Sequence, residues 1–549
     1  MLDLIIKNGK IIDGSGGCWF RADVGILGER IAKIGHLAEV SAHEIIDARD
    51  RYVCPGFIDL HSHTDLLCTL PQELKLKLFR GRITQGITTE INGNCGIGVA
   101  PVTDSSRQIL RGISNWFSPS KVNWEWTSFE SYLGRLERSD LIANVGVLVT
   151  HGAVRVAVMG MTSDNPNREE LVAMKRLISQ AMERGALGMS TGLIYPPGMY
   201  SQTEELIELA AEVARYNGTY TSHIRGSSDI LIPSVKELLK IGSETGVHVH
   251  HSHHGAVGKE NWWKLDRTLA MEEEARDRGM MVTFDVIPYH GATTGMGVIF
   301  PPWSMEGGLD SLMRNLADQS TREKIRWEIE NTVPGWPPWI KGCWGQNYVR
   351  DIGWENIQIA SVVNEKNKNV EGLSLREYAE SIKKSPFDAA ADLMIEEQGN
   401  VTIFLYEVSG RSNDENPIDK LIVHPMSAIV SDAYDLERGK PHPAAYGTFP
   451  WVLHHYVKER RLIRLEDAIR KMTSFPAQVV GIYNRGLIRE SMMADLLIID
   501  MENIRGNATF DSPRELSQGI DYVIINGTVV VKDGDLKPLF PGRVLGRRS

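Results

Sequence analysis

His61-Ser62-His63 follows Val53-Cys54-Pro55-Gly56-Phe57-Ile58-Asp59-Leu60, an apolar run bounded like a buried strand. Side chains two apart on a strand point the same way. Both imidazoles therefore project together from its C-terminal end, where barrel enzymes place their active sites. Such a pair is either a metal site or two hydrogen-bonded histidines, and the pair alone does not decide. Asn92-Gly93-Asn94-Cys95-Gly96 ends a second candidate strand, Gly86-Ile87-Thr88-Thr89-Glu90-Ile91. A thiolate is a strong zinc ligand, although a lone cysteine is more often a small buried hydrophobe. Thr219-Tyr220-Thr221-Ser222-His223 and Val247 to His254 are two more strand-like runs ending in histidine, and five of the 16 histidines lie between positions 248 and 254. Val247 and Val249 alternate through the second run, which puts His251 and His253 on the face opposite His248 and His250. Asp432 closes the apolar run Ile429-Val430-Ser431, either as a helix N-cap or as a site carboxylate. Taken together, imidazoles, a thiol and a carboxylate at the ends of separate strands form a set that one barrel can gather around one or two borderline-soft ions such as Zn²⁺.

The elements that must position these groups change character along the chain. Residues 1–54 alternate short Val and Ile runs with turn signals such as Asp13-Gly14-Ser15-Gly16-Gly17, and residues 481–549 repeat that texture, with Asn526-Gly527 a good hairpin turn. The two termini are thus expected to build one β domain together. Between them, residues 55–480 alternate apolar strands with amphipathic helices, the pattern of a parallel α/β barrel. A helix expected over 203–217 illustrates it: Ser201 and Thr203 offer capping oxygens, Leu206, Leu209, Ala210 and Val213 line one face, and Gly218 stops it. Residues 291–351 break the rhythm with Pro301-Pro302-Trp303 and a Trp-rich stretch from Trp336 to Trp344, which reads as a lid-like insertion near the barrel mouth.

The bulk composition narrows the function classes. The 549 residues are 42% hydrophobic and 24% charged, an ordinary globular balance. The net charge is −10, without a basic block that could follow a phosphate backbone, so nucleic acid is not an expected partner. Five cysteines without paired spacing point to a reducing compartment. No signal-length or membrane-length apolar run is seen, and a soluble cytoplasmic protein with no membrane partner is expected. A homo-oligomer stays open.

On these residues the chain resembles the amidohydrolase superfamily and, within it, the N-acyl-D-amino-acid deacylase (D-aminoacylase) family. The likeness runs from Ile12-Asp13-Gly14 and Pro55-Gly56-Phe57-Ile58-Asp59-Leu60-His61-Ser62-His63-Thr64-Asp65 to Pro541-Gly542-Arg543-Val544-Leu545. Between these lie Asn94-Cys95-Gly96, His151-Gly152, the 190–198 segment, Ser222-His223-Ile224-Arg225, Ser252-His253-His254, Asp285 with Pro288-Tyr289, and Ser431-Asp432. The resemblance implies a distorted (β/α)8 TIM barrel beside a small β-sandwich. It also implies one tight zinc on Cys95, His223 and His253, a second, weaker metal site at His61 and His63, and Asp432 as the catalytic proton carrier.

Two cations that the family usually presents are absent: Gly255 stands where Lys is usual, and Ala444 where Arg is usual. Ser227 replaces the usual acidic residue. Arg225, Tyr289, Thr293 and Thr294 are the candidate substrate-binding residues, with Arg438 or Lys440 as further sources of charge. The expected function is zinc-dependent hydrolysis of the N-acyl amide bond of a small molecule, with a substrate lacking a free carboxylate. A cyclic-amide hydrolase and a catalytically silent binding protein on the same fold are the alternatives.

Overall fold

The computed structural model describes residues 1–119, 122–340, 342–411 and 416–547. Eight short strands succeed one another along the chain: Phe57–Asp59, Ile87–Asn92, Asn144–Val147 continued by Val149–Thr150, Gly188–Gly192, Thr219–His223, His248–His251, Val282–Val286 and Ser427–Ile429. Each pairs in parallel with the next. They are buried along almost their whole length, as parallel strands covered by helices must be. The eighth returns beside the first, where the Asp432 N–H donates to the His61 carbonyl and the Ser431 N–H to the Asp59 carboxylate, both at 3.0 Å. The result is a distorted (β/α)8 barrel. Val544–Leu545, near the C-terminus, adds a parallel strand beside the third through Val145 and Gly146.

The helix after the fourth strand spans Thr203–Arg215 and buries Leu206, Leu209, Ala210 and Val213. Its capping differs from the expectation. Gln202 is the N-cap and makes no side-chain cap bond. The Ser201 hydroxyl instead donates to the Gly198 carbonyl at 2.6 Å, and the Thr203 hydroxyl to Glu237 at 2.6 Å. Buried carboxylate and carbonyl acceptors outcompete the local turn.

Strands from both ends of the chain form one nine-stranded sheet, joined where Tyr52–Pro55 pairs antiparallel with Leu496–Ile499. Leu4, Ile6, Val24, Ile26 and Ile31 share one core with Leu496, Ile498 and Ile524. The sheet folds over that core. A bridge between Arg30 and Met493 closes it, and the Asn526-Gly527 turn approaches Gly28 so closely that a Cβ on Gly527 would meet the Gly28 carbonyl at 2.2 Å.

The stretch after the seventh strand builds a unit with its own core. Gly291–Gly295 and Ile357–Ser361 flank Thr402–Tyr406 in an antiparallel sheet. Met296, Phe300, Leu312, Ile325, Trp344, Ile357, Phe387 and Ile403 pack together inside it. The unit therefore continues well past position 351. Its later strands and helices have ordinary composition, so the Pro- and Trp-rich signal marks only its first half. No helix among the described residues is long and apolar enough to cross a membrane.

Beneath the barrel mouth, Arg82 ties three strands together. Its guanidinium reaches Asp59 at 2.5 Å, the Ala433 carbonyl at 2.9 Å and the Ser431 hydroxyl at 3.2 Å, and it pairs with Glu90. All three charged groups are buried. Replacing Arg82 with Met leaves two carboxylates in the interior without their cation, and breaking such a pair costs about 3–5 kcal/mol. Urea unfolding of Arg82→Met is expected to show a loss of that size with an unchanged slope. A loss below about 1 kcal/mol, in the range of an ordinary surface change, would remove Arg82 from this role.

Candidate metal centre and active site

Five strand ends converge on one point. Cys95 Sγ lies 3.4 Å from His253 Nε2, 3.7 Å from His223 Nδ1 and 3.2 Å from His61 Nε2. His63 Nε2 is 3.1 Å and His61 Nε2 3.5 Å from Asp432 Oδ1. The donor atoms form overlapping triads, each within 4.8 Å: Cys95–His223–His253, His61–His63–Cys95 and His61–His253–Asp432. For a tetrahedral ion with Zn–S of about 2.3 Å and Zn–N of about 2.0–2.1 Å, sulfur and nitrogen ligands stand about 3.5 Å apart. The two distances within the first triad bracket that value.

Backbone geometry aims these groups. Cys95, His253 and Asp432 have φ of +54°, +36° and +47°, left-handed conformations that cost a side-chain-bearing residue free energy. For His253 the turn overrides strand alternation. The strand ends at His251, whose imidazole points into the helical layer and meets Glu272 at 2.8 Å, while the reversed backbone swings His253 into the site. His251 and His253 therefore do not share a face, contrary to the alternation expected from sequence. Asp285, at the end of the seventh strand, accepts the His253 N–H at 2.5 Å and contacts His250 at 2.9 Å and His61 at 3.4 Å. Burial opposes its ionisation, but the neighbouring His61 and His250 hold it well below the usual carboxylate range.

The same electrostatics tests whether a cation fits. Burial works against ionising Cys95, yet the positive His61 and His253 and the hydrogen bonds from His223 and His253 hold its thiol well below the usual range. Burial opposes protonation of His63, but hydrogen bonds to Asp432 and Cys95 push its pKa up to about 9. Asp432 is likewise held down, against its burial, by His61 and His63. A buried thiolate and carboxylate thus draw on imidazolium protons for neutralisation. A divalent cation supplies that charge at the same point and frees the imidazole lone pairs to bind it. The donor set fits zinc.

The pocket above this cluster, about 70 Å³, is walled by Trp116, Tyr195, Tyr348 and Tyr434. Tyr289, Thr293 and Thr294 also line it. Thr294 bonds the Tyr195 hydroxyl at 3.0 Å, whereas the Tyr289 and Thr293 hydroxyls are buried with no partner among the described residues. Arg225 is not part of this pocket. It is buried, donates to Glu237 at 2.7 Å and to the Ser201 carbonyl at 2.7 Å, and lies under the Trp339 ring at 4.4 Å. His151 does not line the pocket either and is bonded to Glu205 at 2.8 Å. Trp116, Tyr348 and Tyr434 escape sequence reasoning because they stand in connecting or insertion segments with no periodic pattern to place them. Asp285 carried a signal, a carboxylate ending an apolar strand, of the same kind as Asp432.

Removing the one thiolate is expected to lower zinc affinity at least ~100-fold, more than the loss of an outer partner typically costs. Cys95→Ala should therefore lose its metal on dialysis, while Cys18→Ala, at an exposed position, keeps it. Equal metal retention by parent and Cys95→Ala would exclude the thiolate as a ligand.

A sequence model described as "Amidohydrolase family" matches residues 44–311 and 362–531. N-acyl-D-glutamate deacylase of Alcaligenes xylosoxydans xylosoxydans is 34% identical across 100% of this chain and 97% of its own. A structure of N-acyl-D-glutamate deacylase from Bordetella bronchiseptica, complexed with zinc and a phosphonate mimic of the reaction's tetrahedral intermediate, is similar at a TM-score of 0.80 and 30% identity, covering 99% of both chains. A D-aminoacylase crystal structure is similar at a TM-score of 0.81 and 28% identity over 100% of both. By sequence, fold and the full-length extent of these matches, the chain belongs to the D-aminoacylase group of the amidohydrolase family.

Proposed function

We propose that the protein is a zinc-dependent hydrolase that cleaves the N-acyl amide bond of a small molecule, with Cys95, His223 and His253 holding the tight zinc and His61 and His63 beside a weaker second position. The observation that carries this is the convergence of one thiolate, four imidazoles and the Asp432 carboxylate on a single pocket. A zinc ion, when bound, supplies positive charge that polarises the amide carbonyl and makes water more acidic. Asp432, held as a carboxylate by His61 and His63, takes the proton of the attacking water at its free oxygen. The C–O bond forms, the C–N bond breaks, and Asp432 returns that proton to the departing nitrogen. A carboxylic acid and an amine leave.

His63 orients the carboxylate through its 3.1 Å contact. Trp116 and Tyr195 separate the pocket from an apolar cavity that Ile97, Ile113 and Met305 also line, suited to the acyl portion. Thr293 and Tyr289, whose hydroxyls have no partner among the described residues, offer them to polar groups of the substrate. The complete donor set speaks against a silent scaffold, and no feature of the pocket favours a cyclic amide.

Asp432→Asn keeps the shape but cannot accept a proton. Turnover of an N-acetyl amino acid is expected to fall at least ~100-fold, as loss of a general base does, with zinc content unchanged. Loss of zinc in this variant would make Asp432 chiefly a ligand. Activity within about tenfold of the parent, too small a change for a general base, would refute both roles.

A further inference from the structure

Beside the metal pocket, and sharing Trp116, Thr293, Asp432 and Tyr434 with it, lies a smaller cavity of about 20 Å³. Its far wall is formed by Ser361, Arg438, Lys440 and His442, with Asp435 also lining it. Room of this size holds about one or two water-sized groups, enough for a carboxylate and too little for a ring. Its position relative to the reaction follows from Asp432. The departing nitrogen must come within hydrogen-bond reach of that carboxylate, so a cavity bordered by Asp432 receives a substituent of the amine portion.

The charges around it are unbalanced. Arg438, half-buried, donates to the Asn115 and Trp116 carbonyls at 3.0 and 3.2 Å, and neither it nor Lys440 has an ion-pair partner among the described residues. The neighbouring carboxylates are committed elsewhere. Asp435 is held by Arg514 at 2.7 Å and Tyr446 at 2.8 Å, and Glu437 by Lys77 at 2.5 Å. Glu371 is held by Lys368 at 2.9 Å, and Glu397 by the N–H groups of Val363 and Asn364 at 2.6 and 2.8 Å. Burial holds the Arg438 pKa below its usual value, although Tyr434, Glu371 and Glu397 pull it the other way. The hydroxyls of Thr293 and Ser361, which line the same cavity, are buried without a partner among the described residues.

The loop carrying the two cations is pressed onto the insertion sheet. The Lys440 N–H donates to the Ala360 carbonyl at 2.8 Å, and Gly439, at φ +56°, runs so close that a Cβ would strike that carbonyl at 2.4 Å. We propose that Arg438 and Lys440 are the specificity-determining residues that bind a carboxylate on the amine portion of the substrate. This rests on the N-acyl hydrolase reading above.

The test uses the zinc-loaded enzyme with N-acetyl-D-alanine, its primary carboxamide, and the 1-amide of N-acetyl-D-glutamate, which carries its carboxylate on the side chain. The parent should favour one of the two acids over the carboxamide by at least ~10-fold in kcat/KM, mostly through KM, the size that charge-assisted hydrogen bonds predict. Whichever acid is favoured identifies the carboxylate that is bound. Arg438→Gln with Lys440→Gln should bring that ratio to about unity, and Arg438→Lys should keep part of it. Equal turnover of acids and carboxamide by the parent, or an acid preference that survives in the double variant with zinc content and Tm preserved, overturns the proposal while leaving amide hydrolysis intact. Should the double variant not fold, the two single variants decide by the same ratio. No cleavage of any of the three compounds overturns the hydrolase reading itself, and this proposal with it.

Discussion

The buried guanidinium of Arg82 faces Asp59, Glu90 and the Ser431–Ala433 segment at once, and the segments that carry the site's donors meet on it. Asp59 precedes His61 and His63, Glu90 precedes Cys95, and Ser431 adjoins Asp432. A single planar cation therefore sets the separation of three strand ends, and does so in the interior, where a misplaced charge is costly. Asp285 performs the complementary task from the seventh strand, by accepting from the His253 backbone while touching His61 and His250. Between them these two buried groups fix the first, second, sixth, seventh and eighth strands around the metal donors.

Fixing the strands is not sufficient, because a strand end points its side chain along or away from the barrel axis and not always at a common centre. The left-handed backbone at Cys95, His253 and Asp432 makes the correction. Each such residue costs about 1–3 kcal/mol that glycine would avoid. The chain carries a thiol, an imidazole and a carboxylate there instead, so the side chain outweighs the strain. All three belong to the donor groups that the structure gathers at the candidate metal centre.

Much of this was legible in the sequence because in a barrel the chemistry sits where an apolar run stops. His61, His63, Cys95, His223, His253 and Asp432 all stand at or just beyond such a boundary, and the structure brings them within a few ångströms of one another. Position along the chain was readable where orientation was not. Strand alternation grouped His253 with His251, since nothing local announces a positive φ at a histidine. Arg225 read as a free cation because its partner, Glu237, lies on the following helix and meets it only after folding. The unit that follows the seventh strand was visible by its Pro and Trp content and therefore only in part. Its closing strand, Thr402–Tyr406, looks like any other buried strand. Aromatic walls such as Trp116 come from loops whose paths depend on long-range packing.

The sheet that joins the two ends of the chain also sets an order in time. Tyr52–Pro55, which leads directly into the first barrel strand, has Leu496–Ile499 as a neighbour, and the third barrel strand is flanked by Val544–Leu545. Domains form as their residues emerge from the ribosome, but here the segments nearest His61 and His63 wait for partners that are synthesised hundreds of residues later. Until then the edge of Asn144–Val147 and the apolar face around Val53 stay open to solvent. A nascent chain of this topology carries its aggregation hazard while hundreds of further residues are made, and chaperone demand is built into its connectivity rather than into any one segment.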